Sequence, residues 1–193
     1  EDANTSADND FDDLGITITT HDSCLSPDDY QIAQKQSQIS DGIFDLQNFN
    51  KESIDLQLTV NSSSDFKNRL AFVRLDDDAS KLSLNGISAS DETEFKDAIT
   101  GALIDPGSQR IELQGESSTT ITWELNKEEF GLYTAVLITE ENEIITIGSS
   151  AFQNDGSPLL KSIGQNHFGF EDNPNSNDVD FDYNDLTFKM TVV

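Results

Sequence analysis

Apolar and polar residues alternate along most of this 193-residue chain in short runs, each followed by a turn-forming segment. A period of two is typical of strands that bury one face, and its recurrence at close spacing predicts an all-β fold, a β-sandwich of roughly nine to eleven strands with one or two short helices. The segments that fit the pattern are Leu14–Thr20, Ile54–Val60, Arg69–Leu75, Leu82–Ile87, Arg110–Leu113, Thr119–Leu125, Tyr133–Thr139, Glu143–Ile147 and Leu186–Val192.

A helical period interrupts the strands between residues 90 and 99. Phe95 and Ile99 are four residues apart, which predicts a short helix with one apolar face. Asp91 and Glu94 stand at the spacing of a capping box, in which the first side chain bonds the backbone at the helix start. A second helical turn is predicted to begin at Asn126.

The composition is strongly acidic, with 37 Asp and Glu against 11 Lys and Arg and a formal net charge of −26. Nucleic acid is excluded as a partner because phosphate binding needs a basic surface. No segment has the length and hydrophobicity of a membrane span, so direct membrane insertion is not expected. Residues 1–13 are interpreted as an acidic linker or arm, and residues 14–193 as a single ligand-binding domain.

The densest acidic segment lies just before the last predicted strand. Six carboxylates and no Lys or Arg fall between Glu171 and Asp185. So many like charges repel one another unless a cation neutralises them. The side chains offer hard oxygen atoms and no clustered His or Cys, which favours Ca²⁺ over zinc or copper. The predicted calcium ligands in this segment are Glu171, Asp172, Asp178, Asp180, Asp182, Asn184 and Asp185.

The segment does not fit an EF-hand loop, and a solvated acidic loop is the alternative interpretation. Counted from Asp178, the position that needs Gly is Tyr183 and the position that needs a bidentate Glu is Lys189. A second candidate for Ca²⁺ is the triplet Asp76, Asp77 and Asp78 after a predicted strand, which is equally well explained as a soluble turn.

Catalytic motifs are missing from the sequence. It contains no Gly-x-Ser-x-Gly elbow, no phosphate-binding Gly-rich loop and no His-Glu-x-x-His. A carboxylate pair of the glycosidase type has no diagnostic value in so acidic a chain. We therefore expect a protein that is not an enzyme.

The C-terminal motif resembles that of a known family. Phe170-Glu171-Asp172, followed by Asp180-x-Asp182-Tyr183-Asn184-Asp185-Leu186-x-Phe188, is similar to the signature of a β-rich calcium-binding domain found in large secreted RTX-type bacterial adhesins. The segments around residues 70–77 and 133–138 also resemble strands of that family. Within it, the chain is most similar to the peptide-binding domain near the tip of ice-binding-type adhesins. The family spacer commonly contains glycines, whereas residues 173–177 here read Asn-Pro-Asn-Ser-Asn.

The resemblance implies a calcium-dependent module at the cell surface, as a fragment of a secreted protein with neighbouring adhesin domains. Its ligand would be a peptide carboxylate on another cell's surface. The sequence leaves three alternatives open: a glycan-binding module, a spacer that calcium only stiffens, and an accessory domain of a secreted hydrolase.

Overall fold

The computed structural model describes residues 42–47, 49–77, 82–147, 153–154, 157–164, 166–172 and 182–193. These residues form two five-stranded antiparallel sheets and two small hairpins, which confirms the all-β class. The predicted acidic arm and the predicted strand Leu14–Thr20 lie outside them.

Fourteen strands and one α-helix follow one another in the described parts of the chain. The strands are β1 (Ile43–Asp45), β2 (Ser53–Ser62), β3 (Asn68–Leu75), β4 (Ser83–Leu84), β5 (Ile87–Ser88), β6 (Ile111–Leu113), β7 (Ser117–Asn126), β8 (Leu132–Ile138), β9 (Ile144–Ile145), β10 (Gln153–Asn154), β11 (Ser157–Pro158), β12 (Leu160–Gly164), β13 (His167–Phe170) and β14 (Leu186–Val192). The helix α1 spans Glu92–Gly101, and single 3-10 turns span Pro106–Ser108 and Lys127–Glu129.

The two large sheets have different strand orders. The first runs β1-β8-β3-β6, with β9 also paired to β8. The second runs β12-β13-β14-β2-β7, so the C-terminal strand β14 lies between β13 and β2. The pairing of β14 with β2 extends from Leu186 opposite Ser62 to Val192 opposite Leu56. Strand β14 is thus the central strand of the second sheet, and from its neighbour β2 the chain passes directly into β3 of the first.

The sequence pattern explains why the sheets pack face to face. In β2, buried apolar residues alternate with polar residues from Ile54 to Val60, and β14 follows the same rule. Aromatic rings then join the sheets: Phe44 of β1 and Phe168 of β13 have centroids 4.9 Å apart, and Phe72 of β3 and Phe188 of β14 have centroids 5.7 Å apart. The core is therefore the layer between the two sheets.

One predicted strand is wrong. Residues 82–87 form a hairpin of β4 and β5 rather than a single strand, because Asn85 and Gly86 have φ of +55° and +79°. Positive φ at both central residues is what a two-residue hairpin turn requires, and Asn-Gly is its strongest sequence signal.

The predicted helices are present, although one is capped differently. Helix α1 buries Phe95 and Ile99 as expected, but the side chain of Asp91 makes no capping hydrogen bond. The reciprocal bond of a capping box occurs instead at the second turn, where the Glu129 carboxylate accepts the backbone N–H of Asn126 at 2.8 Å.

Candidate calcium and ligand site

The site lies at the end of the sandwich where β13 ends and β14 begins. Because Leu186 pairs with both Phe170 and Ser62, the residues just outside these strands become neighbours. The carbonyl oxygen of Asp185 accepts the backbone N–H groups of Ser63 at 3.2 Å and Ser64 at 3.4 Å. The connection from β2 to β3 is thereby fixed against the acidic segment that precedes β14.

Asp172 is a buried acidic residue of the site with three described hydrogen bonds. It is 7% exposed, and its Oδ2 accepts hydrogen bonds from the Ser64 hydroxyl and from the Asn68 side-chain amide. Its backbone N–H donates to Oδ2 of Asp185 at 2.9 Å. Neither Asp172 nor Asp185 forms an ion pair with a Lys, Arg or His in the described parts of the chain. Two carboxylates therefore meet here without a described cationic partner.

The environment of Asp185 disfavours its charged form. Burial, together with the nearby Asp172 and Asp182 carboxylates, raises the pKa of Asp185 from 3.8 to about 6, although the hydrogen bond from the Asp172 N–H acts in the opposite direction. The side chain is only half-buried, so solvent reaches one side of it. A cation at this position would remove the same repulsion that a proton removes.

Tyr183 turns the chain sharply beside the site. It has a φ of +58° and is 6% exposed, with its backbone N–H donating to the buried Glu171 carboxylate and its hydroxyl donating to the Pro158 carbonyl at 2.9 Å. The Lys161 ammonium lies 5.0 Å from the ring centroid, a cation–π contact. A bulky residue at positive φ is held there by its surroundings, so the turn between Asp182 and Asp185 is structurally fixed.

Gly169 makes this turn sterically feasible. A Cβ added at Gly169 would collide with the Tyr183 carbonyl oxygen and come within 2.9 Å of the Tyr183 Cβ. Only a residue without a side chain permits so close an approach.

Asp182 and Asn184 lie on the solvent side of the turn and are exposed. The backbone N–H of Asn184 donates to Oδ1 of Asp182 at 3.1 Å, and the Asn184 side-chain amide donates to the other oxygen. The hydroxyl of Ser63 donates to the Asn184 side-chain oxygen at 2.6 Å. The outer oxygens of the site are thus also tied to the β2–β3 connection.

The structure brings five of the predicted ligands to one end of the sandwich: Glu171, Asp172, Asp182, Asn184 and Asp185. Asp178 and Asp180 lie outside the described residues. Within the described ranges, no group of three or more His, Cys, Asp or Glu side chains is arranged to hold a metal ion. What these ranges supply for a cation is the Asp172–Asp185 carboxylate pair, whose hard oxygens are of the kind that calcium prefers.

The second candidate triplet lies elsewhere, and its first member, Asp76, is bonded to a turn. Asp76 follows the far end of β3, about 25 Å from Asn68 at the rise of an extended strand. Its two carboxylate oxygens accept the backbone N–H groups of Asn85 at 3.0 Å and Gly86 at 2.9 Å. These bonds and one from Ser83 lower the pKa of Asp76, with the Ser83 bond contributing most. Asp77 accepts a 3.4 Å bond from Gln47, and Asp78 is outside the described residues. Asp76 thus anchors the β4–β5 turn.

Sequence reasoning missed the residues that the β2–β3 connection contributes. Ser63, Ser64 and Asn68 are polar residues in a turn-rich stretch, and they are far from the acidic segment along the chain. Only the pairing of β14 with β2 brings them to it. The one signal in the sequence was the position of Asn68, two residues before the apolar Leu70. Residues two apart in a strand share a face, and both are buried here.

Phe66 is an exposed aromatic residue on the same connection. Eight of the nine phenylalanines that the structure describes are buried, whereas Phe66 is 49% exposed. Its backbone N–H donates to the Ser64 hydroxyl oxygen at 3.0 Å, and that hydroxyl donates to Asp172. The ring is therefore exposed to solvent, and its backbone is linked to Asp172 through the Ser64 hydroxyl.

Comparison with protein-family models, curated proteins and solved structures finds no match to this chain. A search of the described residues for a helix long and apolar enough to cross a membrane also finds none.

Proposed function

We propose that this chain is an extracellular, calcium-dependent ligand-binding module of a secreted bacterial RTX-type adhesin. It binds a peptide carboxylate on another cell's surface, carries out no catalysis and is flanked by other domains of the parent adhesin. Neither nucleic acid nor the membrane interior is a partner. The net charge of −26 and the resemblance of the C-terminal motif to that adhesin family support this assignment.

The observation that carries the proposal is the contact between Asp172 and Asp185 at the end of the sandwich. One carboxylate is buried and the other half-buried, they are linked by a 2.9 Å hydrogen bond from the Asp172 N–H, and no described cation neutralises them. Two like charges in contact, one of them buried and the other half-buried, are unfavourable without a proton or a metal ion. Extracellular calcium is the ion whose preferred ligands match these oxygens.

Bound calcium would neutralise the pair and offer a coordination position to a ligand oxygen. The residues of this chain hold the oxygen ligands in place. Ser64 and Asn68 orient the Asp172 carboxylate, the Tyr183 turn fixes Asp185, and Asn184 and Asp182 place further oxygens at the solvent side. The net negative charge of the protein repels an anionic ligand, whereas a bound calcium ion reverses the local field. A ligand carboxylate can therefore bind beside the ion.

Phe66 supplies the second contact for such a ligand. Its backbone N–H donates to the Ser64 hydroxyl, which donates to Asp172, so the exposed ring offers apolar surface to a ligand group next to the bound carboxylate. Burying a Phe ring contributes about 1.5–3 kcal/mol, which is enough to matter for a ligand that binds with modest affinity.

The experiment is to probe peptide and glycan arrays with labelled domain in millimolar calcium and again in chelator. We expect calcium-dependent binding to peptides with a free C-terminal carboxylate and none to their amidated counterparts. Binding that survives chelation would contradict a calcium contact. Binding to glycans alone would favour the glycan alternative, and no binding to either array would favour a calcium-stiffened spacer.

Substitution of Phe66 tests the apolar contact. Phe66→Ser should weaken peptide binding about tenfold while leaving the melting temperature in calcium nearly unchanged, because the ring is already exposed. Ile163→Ser, at a residue of β12 that is 40% exposed, is the matched control and should leave binding intact. Equal affinity of the Phe66 variant and the control in a titration would show that Phe66 does not touch the ligand.

A further inference from the structure

Asn68 is the most anomalous polar residue of the described core. Its side chain is 0% exposed, yet its Oδ1 has no hydrogen-bond partner among the described residues. A buried acceptor left without a partner costs about 1–3 kcal/mol and requires a physical explanation. The other end of the same amide, Nδ2, donates to the buried Asp172 carboxylate.

The amide is therefore already in contact with one carboxylate of the acidic pair, that of Asp172. Because the two ends of an Asn amide have nearly the same size and shape, a half-turn about the last side-chain bond exchanges oxygen and nitrogen. After that turn Oδ1 faces the Asp172 carboxylate, and Nδ2 takes the position at which Oδ1 had no described partner. Two oxygens in contact repel, so this orientation is favourable only when a cation lies between them.

We propose that Asn68 is a calcium ligand, with Oδ1 completing a site whose other members are Asp172 and Asp185. The proposal rests on the proposed function, since it concerns the same ion. It adds a neutral amide oxygen from β3 to carboxylates that follow β13 and precede β14. Amide oxygens and carboxylates together form a common ligand set for calcium.

The location of Asn68 gives this ligand a structural consequence. Asn68 is the first residue of β3 in the first sheet, whereas Asp172 and Asp185 adjoin strands of the second sheet. An ion held by all three joins the two sheets at this end of the sandwich. It also closes the connection that carries Ser64 and Phe66, so calcium would position Phe66 without touching it.

Three variants test the role of Asn68. Asn68→Ala removes the oxygen and should raise the calcium Kd about tenfold or more in calorimetry. Asn68→Asp places a third carboxylate beside the pair. The melting temperature of this variant should fall strongly in chelator and recover in calcium. Its calcium-induced shift in melting temperature should therefore be larger than that of wild type.

Asn166→Asp is the matched control. Asn166 is also buried with an unpartnered Oδ1, but it precedes β13 at the end opposite Glu171. Its substitution should cost the same stability with and without calcium. If Asn68→Asp behaved like Asn166→Asp, or if Asn68→Ala bound calcium as wild type does, Asn68 would not be a ligand. An ordered water bonded to Oδ1 of Asn68 would then account for the buried acceptor.

A measurement on the wild-type domain covers the case in which a variant does not fold. We expect the side-chain ¹⁵N signal of Asn68 to shift on calcium addition and to stay in place with magnesium, which gives up its bound water reluctantly. A signal that calcium leaves unmoved, in a domain that binds calcium by calorimetry, would overturn the role of Asn68 alone. Absence of calcium binding by the wild type would overturn the proposed function as well.

Discussion

Replacing Asp185 with Asn is expected to have opposite effects in chelator and in calcium. In chelator at pH 7 the variant should be more stable than wild type, by about 1 kcal/mol after allowance for solvent screening of a half-exposed group. Asn removes the charge that burial and Asp172 disfavour, and its side-chain oxygen still accepts the Asp172 N–H. In calcium the order should reverse, because the variant has lost a charged ligand.

The pH dependence of this difference has a definite sign. The pKa of Asp185 is raised from 3.8 to about 6 in the folded protein. The stability linked to its proton is therefore fully present below pH 3.8 and is lost as the pH rises through about 6. In chelator, the stability of the variant relative to wild type should rise between pH 3.8 and about 6 and remain constant at higher pH.

Thermal unfolding of both proteins in chelator and in calcium, from pH 4 to pH 8, measures the effect. Asp55→Asn on the exposed face of β2 is the control, since it removes one negative charge without touching the site. A variant at Asp185 that is no more stable in chelator than this control would show that the Asp172–Asp185 contact is not strained.

Gly169→Ala is expected to be the most damaging small substitution in the C-terminal strands. The added methyl group would collide with the Tyr183 carbonyl oxygen and lie 2.9 Å from its Cβ. Because the collision is with backbone, relief requires the turn at Tyr183 to move, at a cost of about 3 kcal/mol. The shift would also displace Asp182 and Asp185, so calcium affinity should fall with stability.

Gly164→Ala in the neighbouring strand β12 is the matched control for denaturant unfolding. Its added Cβ would meet the His167 Cβ at 3.5 Å, an ordinary contact, so the expected change is within about 0.5 kcal/mol. Equal unfolding midpoints for the two variants would show that the close approach of Gly169 to Tyr183 does not hold the site together.

The sequence predicted the fold class and many of the central strands because apolar and polar residues alternate in strands that bury one face. The predicted strand Leu186–Val192 has the observed bounds, and Ile54–Val60 lies within β2. The strand β13 was missed because it is only four residues long, His-Phe-Gly-Phe, and contains a glycine. Gly169 is required there by its close approach to Tyr183, which arises only in the folded protein. The hairpin at Asn85-Gly86 was missed although its turn signal was visible.

The acidic half of the candidate site was accessible from sequence, and the neutral half was not. Carboxylates that repel one another stand out in a short stretch, so Asp172 and Asp185 could be singled out. Asn68 and Ser64 carry no such signal, since their role arises only from strand pairing between distant parts of the chain. Asp76 illustrates the opposite case, because an acidic triplet after a strand also fits a carboxylate that anchors a turn through backbone N–H groups.

The central claim, that a calcium ion holds the Asp172–Asp185 end of the sandwich, is tested most directly by thermal unfolding of the wild-type domain after chelation. We predict that the melting temperature falls in chelator and returns with calcium but not with equimolar magnesium. At a hundredfold excess over Kd the restored stability should be about 2.7 kcal/mol. Superimposable unfolding curves in chelator and in millimolar calcium would contradict the claim.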